Sequence, residues 1–228
     1  ITIDSSENVG IGTGTITDYS GRVLQIHAAS GSAARIKLTN STSGTAIADG
    51  GSITYDTSND LYVLNRESGN LLFGTANTER MRISSAGIVT KPYQPYFAAK
   101  MMPSSSYVST VAGAVLPFDA APYNVGNHFS TANKRFTAPV TGKYLMTVSV
   151  ITNQANPAGR LMFYINNGTD GNSMKWGISG SNTAGAGSTS TSAIVYLNAN
   201  DYIDARSQSG SIVAYQNNHS SFTGMLLG

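Results

Sequence analysis

The chain has 228 residues, of which 11% are charged, and its formal net charge is +2. This length allows one large domain or two modest ones. The longest run of cations is the pair Lys134 and Arg135, whereas a nucleic-acid groove needs several clustered cations, so we expect no nucleic-acid partner. No apolar run approaches the ~20 residues that span a bilayer, so we also expect no membrane insertion.

The composition favours β structure. Gly, Ser, Thr and Asn are abundant, whereas the long charged side chains that favour helices are scarce. There is no cysteine, so the fold does not depend on disulfides. Because the chain begins with Ile1 rather than Met, we expect it to be a fragment of a longer protein.

Residues 1–90 have the pattern of short β-hairpins. Turn-forming residues separate strand-like runs at three joins: 30–32 between 21–29 and 34–40, 57–59 between 52–56 and 60–66, and 67–69 between 60–66 and 70–75. The segment contains one Phe and no Trp, and isolated hairpins are marginally stable in water. Three chains wrapped together would bury faces that a single chain cannot, although a monomeric sandwich is also compatible with the pattern.

Residues 1–90 also contain an internal repeat. The sequence IDSSENV at 3–9 aligns without gaps with ISSAGIV at 83–89. With their flanks, IDSSENVGIGT and TERMRISSAG, these pieces resemble a recurring unit in the shafts of phage tail fibres and similar virion fibres. The second copy lacks the Asp and the GIG end. The alternative is a generic β-rich linker domain.

The sequence Lys91-Pro92-Tyr93-Gln94-Pro95 marks a boundary, because two prolines in four residues interrupt strand pairing and stiffen the join. We therefore divide the chain into a β-rich fibre shaft at 1–90, a proline-rich linker at 91–95 and a head domain at 96–228.

The stretch 118–150 organises the head. Its aromatic residues recur at irregular intervals, which predicts short strands that each place one ring in a shared core. The alternation of Tyr144, Met146, Val148 and Val150 with more polar neighbours is typical of a strand. The spacing resembles the signature of the C1q/TNF-like domain at these positions: Phe118, Asn124, Phe129, Phe136, Gly142, Tyr144, Met146 and Val148. Met146 and Val148 replace residues that are usually aromatic in the family, and both stay apolar.

This resemblance covers roughly residues 95–228 and implies a ten-stranded antiparallel jelly-roll sandwich that assembles as a homotrimer, with both termini at one end. Together with the shaft, the predicted fold class is all-β. The predicted strands, lettered as in the family, are A (96–102), B (within 127–139), C (142–152), D (159–166), E (173–179), F (190–198), G (201–208) and H (221–228).

Strand H is apolar on both of its faces, so we expect one face in the core and the other at a subunit interface. The predicted trimer-interface residues are Phe97, Phe222, Met225 and Leu227.

The sequence offers little support for catalysis. The chain beyond Glu79 contains no Glu, and its acids are Asp119, Asp170, Asp201 and Asp204. Asp201 and Asp204 are three residues apart on a predicted strand, so they should point to opposite faces rather than form the facing pair that a glycosidase needs. We interpret both as solvated turn or edge residues.

Metal binding and cofactor chemistry also lack a motif. The histidines at 27, 128 and 219 are isolated from one another, and Asp56, Asn59 and Asp60 are better interpreted as turn residues than as calcium ligands. We therefore predict a protein without catalytic residues, bound metal or cofactor.

The loops after strands C, E and G should lie at the end of the head opposite the shaft, while the D–E and F–G connections lie at the base. The loops at the free end are long and polar, which suits hydrogen bonding and stacking against a sugar. The predicted ligand-binding residues are Asn153, Gln154, Arg160, Asn182, Tyr215, Asn217, Asn218 and His219.

These inferences and resemblances together imply a trimeric virion fibre, most simply a phage tail fibre. Its head, at the distal end and facing outwards, would bind a host cell-surface receptor, glycan or protein. The alternative is a head that only trimerises and registers a fibre or a bacterial surface protein of the exosporium kind. An enzyme acting on surface polysaccharide is the weakest hypothesis, because it lacks the carboxylates.

Overall fold

The computed structural model describes residues 1–13, 15–16, 21–102, 107–152, 161–168, 187–207, 212–215 and 219–228. In these residues the regular structure is β-strand, with two single turns of 3-10 helix at Val125–Asn127 and Asn166–Gly168. The all-β prediction is thus confirmed. No helix in the described part of the chain is long and apolar enough to cross a membrane. The chain divides into an N-terminal unit, Ile1–Lys91, and a C-terminal unit, Pro92–Gly228.

The N-terminal unit consists of three small sheets, ordered β1-β2-β3, β4-β5-β6 and β7-β8-β9. Their strands are β1 (Thr2–Ile3), β2 (Val9–Ile11), β3 (Leu24–Ile26), β4 (Ala34–Leu38), β5 (Gly51–Tyr55), β6 (Leu61–Asn65), β7 (Leu71–Thr75), β8 (Thr78–Ile83) and β9 (Val89–Thr90).

One of the three predicted hairpins is confirmed. Strands β5 and β6 pair across the 57–59 turn, with Tyr55 opposite Leu61. The other two are wrong, because β3 pairs in parallel with β2 and β7 pairs with β8. Ala76 and Asn77 close β7–β8, and both adopt the left-handed conformation that tight two-residue hairpin turns require.

The pairing of β3 with β2 depends on a buried asparagine. The Asn8 side chain has no exposed surface, and its Oδ1 accepts a hydrogen bond of 2.7 Å from the Val23 backbone N–H, just before β3. Its Nδ2 donates to Asp4 at 2.9 Å. Because a buried amide must be satisfied, Asn8 ties β3 to the β1–β2 turn.

The internal repeat is a repeat of backbone geometry. In the turns 4–8 and 84–88, the first residue's N–H donates to the fifth residue's carbonyl, at 3.1 and 2.9 Å, and the fourth residue's N–H donates to the first residue's carbonyl, at 3.1 and 2.8 Å. The turn 56–60 makes the same two bonds, at 3.1 and 3.3 Å. The fourth residue has positive φ each time: Glu7, Asn59 and Gly87.

The first residue of each turn also caps it with its side chain. Asp4, Asp56 and Ser84 each accept a hydrogen bond from the backbone N–H of the turn's fifth residue, at 3.0, 3.0 and 3.1 Å. The hydrogen bond from the Asn8 amide lowers the pKa of Asp4, and the bond from the Asp60 N–H lowers the pKa of Asp56. Asp56, Asn59 and Asp60 are therefore turn residues, as predicted.

The N-terminal unit has no hydrophobic core of its own among its described residues. Its buried side chains are the polar Asn8, Ser52 and Thr54, and no described hydrophobic residue of the unit is buried. Folding must bury apolar surface to offset the loss of conformational entropy. The apolar residues of this unit therefore remain available to a partner.

The C-terminal unit is a sandwich of two antiparallel sheets. Its strands are β10 (Tyr96–Lys100), β11 (Tyr107–Thr110), β12 (Ala120–Asn124), β13 (Phe129–Ser130), β14 (Arg135–Thr137), β15 (Gly142–Thr152), β16 (Leu161–Ile165), β17 (Gly187–Leu197), β18 (Tyr202–Ser207), β19 (Ile212–Tyr215) and β20 (Ser221–Leu226). The first sheet is ordered β11-β19-β15-β20-β10-β12. In it, β19 and β20 pair along one side of β15 and β17 pairs along the opposite side. The second sheet is ordered β13-β14-β18-β16.

The predicted strand ranges A, C, D, F, G and H contain β10, β15, β16, β17, β18 and β20, with β17 starting three residues earlier than expected. Strands β13 and β14 occupy range B, and range E lies outside the described residues. The expected number of ten strands is too small, because β11 and β19 form an additional pair, Tyr107 opposite Tyr215. Residues predicted as loop between G and H are thus partly strand.

Aromatic rings join the two sheets. Phe97 stacks against Phe129 and Phe136, with ring centroids 4.8 and 5.0 Å apart, and meets Phe222 edge-on at 4.9 Å. The alternation on β15 is confirmed, since Tyr144, Met146, Val148 and Val150 have no exposed surface. Phe118, Phe129 and Phe136 belong to the same core, as their spacing predicted.

Gly224 allows this core to close. A Cβ atom at this position would overlap the Met146 sulfur and the Phe97 ring. The β20 backbone can therefore approach these two side chains only because residue 224 lacks a side chain.

Candidate functional site

The seven-stranded sheet has an exposed apolar face, which we call the β20 face. Strand pairing places Tyr96, Met225 and Leu145 in one row across β10, β20 and β15, and Ala98, Thr223 and Thr147 in the next. These six residues define the face and line a shallow pocket of about 190 Å³. Because neighbouring residues of a strand point to opposite sides, the β20 face is the reverse side of the aromatic core.

Exposed apolar side chains extend the β20 face in both directions. Tyr123 on the edge strand β12 is 61% exposed, and its ring lies 6.4 Å from that of Tyr96. On the other side, Ile194 of β17 is opposite Leu145 and is 58% exposed. Apolar side chains are therefore found on five neighbouring strands on this side of the sheet, from β12 to β17.

Two of the four predicted interface residues point the wrong way. Phe97 and Phe222 are 1% and 0% exposed and lie in the core, so their side chains have no surface to offer a partner. Met225 and Leu227 are 46% and 49% exposed. The sequence shows strand H apolar on both faces, but the side of Phe222 and Gly224 is the one that packs inside.

The predicted base of the head comes together around Asp201. Its Oδ1 accepts a hydrogen bond of 2.7 Å from Asn166 Nδ2, and its Oδ2 accepts one of 2.8 Å from the Asn198 backbone N–H. The D–E and F–G connections are therefore in contact. Lys143 N–H donates to the Gly228 carbonyl at 2.9 Å, so the C-terminal end of the unit lies at the start of β15. The Gln94 amide donates to the Leu226 carbonyl at 3.0 Å, so the N-terminal end lies beside β20.

We expect the loss of Asp201 to cost more stability at neutral than at acid pH. Burial alone would raise the pKa of Asp201, but hydrogen bonds from Asn166 and Asn198 outweigh it and lower the pKa. A carboxylate with a lowered pKa stabilises the fold above its unfolded pKa of about 4, and this contribution is lost as the pH falls through the folded value. Urea unfolding of Asp201→Asn should therefore show a deficit at pH 7 that shrinks at pH 3. An equal deficit at both pH values would contradict this.

At the opposite end, three strand ends meet. Thr152, the last residue of β15, is opposite both Gly187 of β17 and Ala214 of β19. The C–D, E–F and G–H connections therefore start or finish at the same end of the sheet, where β15 ends. Of the predicted ligand residues, Asn153, Gln154, Arg160, Asn182, Asn217 and Asn218 lie outside the described residues. Tyr215 is placed at the end of β19 by its backbone, and His219 is exposed just before β20.

The four-stranded sheet carries a charged and aromatic cluster that sequence reasoning missed. Asp204, 2% exposed, accepts two hydrogen bonds from Arg206 of the same strand, at 2.6 and 2.7 Å. The Arg206 guanidinium also lies 4.8 Å from the centre of the Tyr164 ring, and the hydrogen bonds that it donates to Asp204 raise the pKa of Arg206. The interpretation of Asp204 as a solvated edge residue is therefore wrong. The available signal was the spacing Asp-x-Arg, which places both side chains on one face of a strand.

Within the described parts of the chain, no group of three or more His, Asp or Glu side chains is arranged to hold a metal ion. His128 sits against Phe136, with ring centroids 6.4 Å apart, and burial lowers its pKa. This environment favours a neutral, structural imidazole.

The family model of the C1q domain matches residues 97–227. The chain therefore belongs to the C1q domain family. The fold is similar to Eiger TNF from S. frugiperda, with 17% identity, coverage of 59% of this chain and 94% of that one, and a TM-score of 0.47. It is similar to the globular domain of zebrafish complement 1qA protein, with 16% identity, coverage of 59% of this chain and 98% of that one, and a TM-score of 0.45. It is also similar to murine APRIL, with 12% identity, coverage of 59% of this chain and 99% of that one, and a TM-score of 0.46. No curated protein sequence matches the chain.

Proposed function

We propose that the chain is part of a homotrimeric virion fibre, in which the C-terminal unit binds a host cell-surface receptor and the N-terminal unit is shaft. The role is non-catalytic and faces outwards from the particle. The observation that carries the proposal is the β20 face, an exposed apolar face of the seven-stranded sheet. The three matching turns of the N-terminal unit support the fibre, since short self-similar β units that stack build extended shafts.

The β20 face has the chemistry of an obligate contact between copies. Its residues carry no charge, and the pocket beside Gly224 can receive an apolar side chain of a neighbour. A stable interface of obligate type buries more than ~2,000 Å² and resembles a core. Three copies also matter for binding, because a site of about millimolar strength gains ~10²–10⁴ in avidity when three are presented together.

Replacing Met225 with lysine should convert the trimer to monomers, because the change would bury an unpaired charge in an apolar contact. Light scattering at micromolar concentration measures the mass. Val140→Lys is the matched control, since Val140 has the same 46% exposure but lies in the turn before β15. A parent chain that is a folded monomer at this concentration would refute the trimer, and so would an unchanged mass for Met225→Lys.

The receptor site is proposed for the end of the sheet where Thr152, Gly187 and Ala214 meet. Changing Tyr215, Asn217 and His219 to alanine, singly and together, should reduce binding in a glycan array and to host cells while the trimer persists. Asn167→Ala and Asn198→Ala, at the base, are the controls. If binding stays at the parent level in the first set and is abolished in the second, the receptor contacts the base or flank instead.

The second candidate is a head that trimerises and registers the fibre while another protein recognises the host. It is favoured by the same β20 face, which would serve assembly whether or not a receptor binds. Binding of the parent chain to neither glycans nor host cells, with an intact trimer, would select this function.

A further inference from the structure

The middle sheet of the N-terminal unit exposes its apolar side. Strand pairing places Ile36, Ile53 and Val63 in one row across β4, β5 and β6. We call the apolar surface around this row the β5 face, defined by Ile36, Leu38, Ile53, Tyr55, Leu61 and Val63. The exposed fractions of these six residues range from 40% to 68%.

On the opposite side of the same sheet only the central strand is covered within the chain, because the residues of β4 and β6 on that side are exposed. Ser52 and Thr54 of β5 are 5% and 4% exposed, and Thr54 accepts a hydrogen bond of 3.0 Å from Arg35 Nε. A three-stranded antiparallel sheet normally buries its apolar side and solvates its polar side. In a single copy of this chain the polar residues of the central strand are covered, whereas the apolar row of the β5 face is exposed.

The β5 face continues onto the next sheet. Val63 lines a common pocket with Leu71 of β7 and Ile83 of β8. Pairing places Phe73 opposite Met81, and Leu71 and Val89 opposite Ile83, on one side of the β7–β8–β9 sheet. Apolar side chains that are exposed in a single copy of the chain are therefore present on both sheets.

We infer that a second copy of the same chain covers the β5 face, so that the N-terminal unit acquires its hydrophobic core only between chains. The face carries no charged group, so two copies can meet on it without burying an unpaired charge. The need for cover is permanent, because no described hydrophobic residue of the unit is buried. A copy of the same chain is always present in matching amount.

The connection to the C-terminal unit supports this choice of partner. Residue 91 is followed directly by Pro92, the first residue of the unit that carries the β20 face. Units joined by so short a link have effective concentrations near millimolar once their neighbours associate. The inference uses the proposed trimer to bring the copies together, but the contact it names is a separate one.

Cysteine cross-linking of the full chain tests the contact, because the chain has no native cysteine. Ile53→Cys and Val63→Cys place a thiol on the β5 face. Leu64→Cys is the matched control, since Leu64 is 38% exposed against 45% for Val63 but points to the opposite side of β6. After mild oxidation or treatment with a short bismaleimide, non-reducing gels should show at least about ten-fold more covalent dimer for the first two variants than for the control.

Each result bears on the inference. Equal cross-linking of Leu64→Cys, or none of Ile53→Cys and Val63→Cys, overturns it, and the second outcome points to a different protein as the cover. The mass of each variant, measured in parallel, separates this from the proposed function. If the parent chain is a trimer but Ile53→Cys and Val63→Cys form no cross-links, the β5 contact is contradicted and the head trimer is not. A monomeric parent sinks the head trimer, whatever the gels show at higher concentration.

Discussion

Phe222→Ala is expected to remove about 3–5 kcal/mol of stability from the C-terminal unit, the range for truncating a buried Phe. The Phe222 ring contacts Phe97, Phe118, Phe129 and Phe163, with centroid distances between 4.9 and 5.9 Å. Phe163 belongs to the four-stranded sheet and Phe222 to the seven-stranded one, so the ring joins the two layers. Its loss leaves a cavity that rigid neighbouring rings cannot fill.

The measurement is urea and thermal unfolding at one fixed protein concentration, because the apparent stability of an oligomer depends on concentration. We expect the Tm to fall by about 10 °C or more. Phe222→Leu is the control, since it keeps most of the buried volume and should cost distinctly less. A loss below about 1 kcal/mol for Phe222→Ala would show that the core collapses around the gap, contrary to the packing described.

Asp204→Ala is expected to destabilise the unit by a similar ~3–5 kcal/mol, because removing one partner of a buried ion pair strands the other charge. The side chains of Arg206 and Asp204 are 12% and 3% exposed, so the stranded guanidinium would have little access to water. The Tyr164 ring beside it supplies only part of the lost interaction.

The double variant Asp204→Leu/Arg206→Met separates the cost of a stranded charge from the net contribution of the pair. Replacing a buried pair with apolar side chains of similar volume is often neutral or stabilising, so we expect the double variant to be more stable than Asp204→Ala. Unfolding free energies of the two variants and the parent form the comparison. If the double variant were no more stable than Asp204→Ala, the pair itself would be the source of stability.

The aromatic spacing and the β15 alternation predicted the core well, because ring burial and strand period are local properties of sequence. The sequence did not show which side of strand H points outwards. Phe222 and Met225 lie on opposite faces of one apolar strand, and which face packs inside is decided by the position of the second sheet. Phe97 was assigned outwards for the same reason, although its ring stacks on Phe129 and Phe136.

Pairing partners were the least predictable feature. Turn-forming residues at 30–32 and 67–69 marked breaks in the chain correctly, but they do not reveal whether the next strand returns to its neighbour or starts another sheet. The turn at 56–60 was missed as a repeat because it shares little sequence with 3–9 beyond Asp and Ser. Its identity lies in backbone hydrogen bonds.

The same turn carries Glu7, Asn59 or Gly87 at its left-handed position, although glycine adopts that conformation with least strain. The turn is therefore closed by its backbone hydrogen bonds and by the capping side chain of its first residue, whichever residue stands at the left-handed position. Every one of these closing bonds lies within five consecutive residues. We therefore expect that a strand–turn–strand unit closed in this way can be added to a shaft or removed from it without breaking the hydrogen bonds of the neighbouring turns.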